Sequence, residues 1–145
     1  MPQLEFSLIT HADCEATQHA VDDAALGERS VRGLAEIAAG ENLHMTFLVI
    51  PTDFEANPAL YREMDRDGHE VGLHVHPAEQ GYKEFLGIYG PAEQRKIIGE
   101  AADRFAQVMG RRPRSVCIGY GSANDHTYPV FTELGFTHGD ISVPT

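Results

Sequence analysis

Two histidines separated by one residue stand in the run Gly72-Leu73-His74-Val75-His76-Pro77. Side chains alternate faces along a β-strand, so a strand here points both imidazoles the same way, about 6–7 Å apart. Two imidazoles on one face can share a divalent ion. An isolated His-x-His is equally compatible with two strand-end side chains satisfied by hydrogen bonds. The second feature is the acidic pair Asp13 and Glu15, which offers one possible oxygen ligand and one possible base. Alone, such a pair also serves as a helix cap or a solvated loop. Joined to His74 and His76, it supplies one carboxylate and two imidazoles, a common hydrolytic metal set that leaves positions for water and substrate. The third feature is the loop Gly119-Tyr120-Gly121-Ser122-Ala123-Asn124-Asp125. Its glycines let backbone N–H groups approach a ligand closely. It lacks the Lys-Ser/Thr ending of a phosphate loop, and by spacing alone it is a strand-to-helix turn capped by Asn or Asp.

The elements around these residues alternate. Leu4 to Ile9 reads as a first strand that ends in the polar cluster Thr10 to Glu15. Ser30 to Ala39 has helical spacing of Val31, Leu34, Ala35 and Ala38, with Gly40 where a helix end favours it. Met45 to Ile50 is nearly all apolar, as in a strand covered on both faces, and Pro51 stops it. Asn57-Pro58 starts a helix to about Asp67, closed by Gly68. Glu70 to His76 is the third strand, and residues 77–90 form a long loop. Pro91 to Met109 is the clearest helix, with a stripe of Ile97, Ile98, Ala101, Ala102, Phe105, Val108 and Met109. Ser115 to Ile118, Thr127 to Leu134 and His138 to Val143 complete the series as strand, helix and strand.

Strict alternation predicts an α/β fold of about five parallel strands with right-handed helical crossovers. Ligands in such sheets gather at the carboxyl ends of the strands. Asp13, Glu15, His76 and the loop after Cys117 all fall there, so one rule of architecture collects residues far apart in sequence.

The chain has 145 residues, suited to one domain spanning 1–145, and 42% of them are hydrophobic, enough for a core. Acidic residues outnumber basic ones by 22 to 11, for a formal charge of −11. That argues against the Lys/Arg face a nucleic acid needs, and against binding an anionic membrane. No apolar run is long enough to cross a bilayer, and no basic-then-apolar signal segment opens the chain. Two cysteines, Cys14 and Cys117, are too few for a disulfide scaffold; they read as free, small buried thiols in a reducing, cytoplasmic compartment.

In order along nearly the whole chain, these motifs resemble the polysaccharide deacetylases of carbohydrate esterase family 4. Thr10-His11-Ala12-Asp13-Cys14-Glu15 looks like the first motif of that family in its Asp-x-Asp/Glu form. Gly68-His69-Glu70-Val71-Gly72-Leu73-His74-Val75-His76-Pro77 resembles the second, in a branch with His-x-His-Pro in place of His-x-x-x-His. Ser115 to Gly121, followed by Asn124-Asp125, looks like the third. The resemblance implies Asp13 as general base, and Glu15, His74 and His76 as ligands of one divalent ion, Zn²⁺ or a similar cation. It implies an N- or O-acetylated carbohydrate as substrate, with the oxyanion held near Tyr120 and Gly121. His11 and Cys117 are expected just behind these groups.

The chain departs from the family pattern twice. The third motif usually begins with an Arg that pairs with the catalytic Asp; here the position is Cys117. The family's later strands carry a His that acts as general acid, and neither His126 nor His138 matches it. The resemblance thus implies a partial or deformed (β/α) barrel of about five strands, lacking the C-terminal strands and completed by another copy, hence a homo-oligomer. Two further readings stand beside deacetylation: hydrolysis of another amide, such as a cyclic ureide or imide, and a metal-binding but inactive domain with a structural or assembly role.

Overall fold

The computed structural model describes residues 11–18 and 21–140. Five strands, β1 (His11–Cys14), β2 (Thr46–Val49), β3 (Glu70–Val75), β4 (Ser115–Ile118) and β5 (His138–Asp140), form one sheet in the order β1-β2-β3-β4-β5. Every neighbouring pair is parallel. Between them run α1 (Ala24–Gly40), α2 (Pro51–Ala56), α3 (Pro58–Arg66), α4 (Pro91–Met109) and α5 (Thr127–Glu133). Sequential order with parallel pairing is the arrangement of a (β/α) barrel, and the five strands among the described residues form part of one. Among the described residues no helix is long and apolar enough to cross a membrane.

The sequence sets these boundaries through local chemistry. The Asp23 carboxylate accepts a hydrogen bond from Leu26 N at 2.8 Å and so caps α1. Asn57 does the same for Leu60 N at the start of α3, with Pro58 in the first turn. α4 begins at Pro91 and ends before Gly110, matching the predicted span. One face of the sheet, Phe47, Val49, Val71, Leu73, Val75, Val116 and Ile118, joins Phe54, Ile97, Ile98 and Phe105 of the helices in the buried core. The alternate positions Asp13, Leu48, Gly72, His74 and Cys117 therefore belong to the opposite face. Space on that face is tight. A Cβ on Gly72 would lie 1.9 Å from Ser115 Oγ and 2.9 Å from Leu48 Cδ2.

Some boundaries differ from those read in the sequence, and two readings fall outside the described residues. The predicted strand Leu4–Ile9 lies outside the described residues. The strand paired with β2 is His11–Cys14, which the sequence reading placed in a polar cluster after a strand. Cys14 is buried in the core with Ala12 packed beside it, while Asp13 faces the other way. A polar residue on the inner face of a barrel looks like a loop residue in sequence. α1 begins at Ala24 instead of Ser30 because the Asp23 cap, not apolar periodicity, starts it. Pro51 stops β2 and also opens the short helix α2. The part of the predicted fifth strand beyond Asp140 lies outside the described residues.

His69, just before β3, is 7% exposed, and its Nδ1 accepts a hydrogen bond from Met45 N at 3.0 Å. Burial, and then the neighbouring His44, hold its pKa below the ordinary 6.5. The folded chain thus binds the His69 proton less well than the unfolded chain does. The stability from this neutral ring is present above about pH 6.5 and is lost as pH falls through the lowered folded value. A His69→Phe variant removes the acceptor, with an expected cost of about 1–3 kcal/mol near neutral pH. Urea unfolding at about pH 7.5 and about pH 5 should show the gap between wild type and variant narrowing in acid. A gap independent of pH would contradict this account.

Candidate metal centre

Alternation along β3 sends His74 and His76 to the same side, and their rings stack with centroids 4.8 Å apart and planes 15° from parallel. Both are nearly inaccessible, 2% and 4% exposed. Glu15 directly follows β1. Its Oε1 lies 3.1 Å from His74 Nε2 and 3.2 Å from His76 Nε2. Asp13 Oδ1 lies 3.2 Å from the other nitrogen of His74, Nδ1. The parallel register brings Cys117 beside His74 as its partner in β4. Its sulfur falls within 4.8 Å of ligand atoms of Asp13 and His74.

Glu84 completes the surroundings of His76, with Oε1 2.7 Å from Nδ1. A neutral ring that donates from Nδ1 to Glu84 keeps its lone pair on Nε2 for a cation, whereas the protonated ring donates from both nitrogens, to Glu84 and to Glu15. Burial alone would lower the His76 pKa, but hydrogen bonds to Glu15 and Glu84 outweigh it and raise the pKa. The reciprocal bond from His76, with the nearby His74, lowers the pKa of Glu15. Gly119 makes room for this arrangement: a Cβ there would come within 2.3 Å of His76 Cε1. Tyr120 follows with φ of 60°, the left-handed region, and its ring meets His76 edge-on at 5.5 Å. Phe85 stands 5.7 Å from Tyr120, and both rings are exposed. Gly121 ends the same short turn, Gly119–Gly121.

These residues fit a divalent cation on two grounds. Glu15, His74 and His76 each offer a ligand atom, all within 4.8 Å of one another. Bonds of about 2.0–2.1 Å to a tetrahedral ion set its ligand atoms about 3.3–3.4 Å apart. The separations of 3.1 and 3.2 Å from Glu15 are close to that edge. Moreover, both nitrogens of the buried His74 lie near carboxylate oxygens, yet neither contact has hydrogen-bond geometry. Buried polar atoms in that state are costly unless something else satisfies them.

The predicted residues Asp13, Glu15, His74, His76 and Cys117 are thus brought together, and Tyr120 and Gly121 stand at the rim. The side chain of His11 lies outside the described residues. The sequence reading did not find Glu84, which sits in the segment read as a plain loop. It also missed Asp53 in α2, which is 4% exposed. Asp53 accepts hydrogen bonds from Ala16 N at 2.8 Å, Thr17 N at 2.7 Å and the Thr17 hydroxyl. It therefore fixes the turn that leaves Glu15. No periodic pattern links a carboxylate to a turn 36 residues away.

A family model for polysaccharide deacetylases matches residues 13–139. The chain belongs to that family. Solved structures agree on the polysaccharide deacetylase fold. A protein from Mycobacterium smegmatis assigned to the same family is 23% identical with a TM-score of 0.71, covering 90% of this chain and 49% of that one. A family 4 carbohydrate esterase from Streptomyces lividans, solved in complex with acetate, is 20% identical with a TM-score of 0.64, over 90% of this chain and 60% of that one. A family 4 pseudoenzyme from Bacillus anthracis is 14% identical with a TM-score of 0.68, over 90% and 41%. The chain thus spans about half the length of the solved structures it matches. No curated protein matches it.

If Asp53 positions Glu15, Asp53→Asn should weaken Zn²⁺ binding about 10–100-fold, the range seen when groups supporting a ligand are removed. Competition with a zinc-sensitive dye measures this, with far-UV circular dichroism confirming the fold. Unchanged affinity would mean that the turn and the cluster are independent.

Proposed function

We propose that this chain is a metal-dependent deacetylase that removes acetyl groups from an N- or O-acetylated carbohydrate. The observation that supports it is the convergence of Glu15, His74 and His76, with Asp13 on the far nitrogen of His74. In this reading Glu15, His74 and His76 hold Zn²⁺ or a similar ion. Bound there, a divalent ion supplies Lewis acidity and makes water a usable nucleophile at neutral pH. Asp13 takes the proton of the attacking water as general base. Its carboxylate is partly exposed, so substrate can reach it, and it stands 3.2 Å from His74 Nδ1. Backbone N–H groups around Tyr120 and Gly121 steady the negative charge that develops on the acetyl oxygen. The exposed rings of Phe85 and Tyr120 give the apolar face of a sugar something to rest on.

One observation favours a second reading, a metal-binding domain without activity. Cys117, not an Arg, adjoins Asp13, so the base has a buried thiol beside it where the family pattern has a cation. A family 4 pseudoenzyme shares the fold.

Acetate release from N-acetylated chito-oligosaccharides, measured beside the metal content of the protein, separates the two. Asp13→Asn should retain metal and lose at least about 100-fold in activity, whereas His74→Ala should lose both. Wild-type protein that holds metal but releases no acetate from acetylated sugars would establish the inactive reading. Within the active reading, Phe85→Ala should raise KM severalfold with little change in kcat, the mark of an interaction that binds substrate and transition state equally. A fall in kcat alone would remove Phe85 from substrate binding.

A further inference from the structure

We propose that Asp13, His74 and Cys117 form a second cation site, selective for thiophilic ions such as Cd²⁺, which competes with the Glu15–His74–His76 set for the same imidazole. The three ligand atoms lie within 4.8 Å of one another. His74 and Cys117 are register partners on adjacent parallel strands, so both belong to the same face of the sheet. The Asp13 Oδ1 to His74 Nδ1 separation, 3.2 Å without hydrogen-bond geometry, is close to the ligand–ligand edge of a tetrahedral ion. Cys117 Sγ has a weak contact with the Ile118 carbonyl at 3.8 Å, readily given up to a cation.

The two donor sets differ in softness. Glu15, His74 and His76 present one oxygen and two nitrogens. Asp13, His74 and Cys117 present one oxygen, one nitrogen and one sulfur, and sulfur shifts preference towards softer ions. The sets also exclude one another. A neutral imidazole has one lone pair and one N–H. A cation on Nδ1 leaves the N–H on Nε2, facing Glu15; a cation on Nε2 leaves it on Nδ1, facing Asp13.

Binding at the second site forms a sulfur–metal bond and sends the thiol proton to solvent, one proton per ion. Because the cation displaces that proton, binding strengthens as pH rises. An ion seated there takes Asp13 and His74 away from the hydrolytic set; this inhibition rests on the proposed activity, but the site does not.

The test is titration of the metal-free full chain with Cd²⁺, following thiolate-to-cadmium charge-transfer absorption in the ultraviolet. One equivalent should produce the band, Cys14→Ser should keep it, and Glu15→Gln, which impairs only the first set, should keep it too. Cys117→Ser should abolish the band and weaken Cd²⁺ binding at least about tenfold. Cadmium NMR of the wild type reads the ligand set directly, without relying on a variant that must fold: a resonance shifted as for one sulfur ligand is expected. No thiolate band at saturating Cd²⁺, a band that depends on Cys14, or a cadmium resonance of oxygen and nitrogen ligands alone would overturn the proposal. None of these outcomes depends on acetate release, so a failure here and a failure of the deacetylase reading are distinguishable.

Discussion

Two imidazoles stacked at the end of a buried strand set the terms for much of this molecule. Burying polar rings is unfavourable unless their nitrogens are satisfied. The fold surrounds them with carboxylates from three separate segments, Asp13 from β1, Glu15 after it, and Glu84 from the segment between β3 and α4, which satisfy His76 but leave both nitrogens of His74 without a hydrogen bond. Each must arrive within about a hydrogen-bond length. The rigid parallel sheet, backed by a continuous apolar face, supplies that precision for Asp13, His74 and Cys117. The turn clamped by Asp53 supplies it for Glu15. The missing side chains of Gly72 and Gly119 leave the space in which the rings and their neighbours sit.

How much of this was legible in the sequence depends on the range of the interaction. The span of α4 was readable because Pro at its start, Gly after its end and an apolar stripe between them are all local. His74 and His76 were readable because strand alternation is a period of two. β1 was not, since its inward-facing Asp13 mimics a loop and only pairing with β2 reveals the strand. The helix α2 was hidden because six residues hold less than two turns, too short for periodicity to register. Asp53 and Glu84 were invisible for a different reason. Their partners are fixed by tertiary packing, and nothing in an acidic residue's neighbours announces which distant nitrogen it will meet.

The same fold is consistent with more than one outcome at this site. Structures of similar fold include both a carbohydrate esterase and a pseudoenzyme. The sheet therefore explains where chemistry is placed and not whether it proceeds. What differs here is beside the acid: a buried sulfur and Nδ1 of His74 adjoin Asp13, and Cys117 stands where the family pattern has a guanidinium. An imidazole can change its charge and its tautomer, whereas a guanidinium stays protonated. Asp13 is thus tied to the state of the same ring that faces Glu15.

That coupling extends through the cluster. Asp13, Glu15 and Glu84 place three acidic groups around two buried rings. The raised pKa of His76 and the lowered pKa of Glu15 express one and the same preference, for positive charge between them. A proton on His76 satisfies that preference, and so would a cation held by the same atoms, which is why cation binding and proton binding must oppose one another here. The surplus acidity is not a general consequence of the chain's charge of −11, since exposed charges at the surface are screened by solvent. It is local, made by the end of β3 meeting the end of β1, and it identifies this edge of the sheet as the place built to hold positive charge.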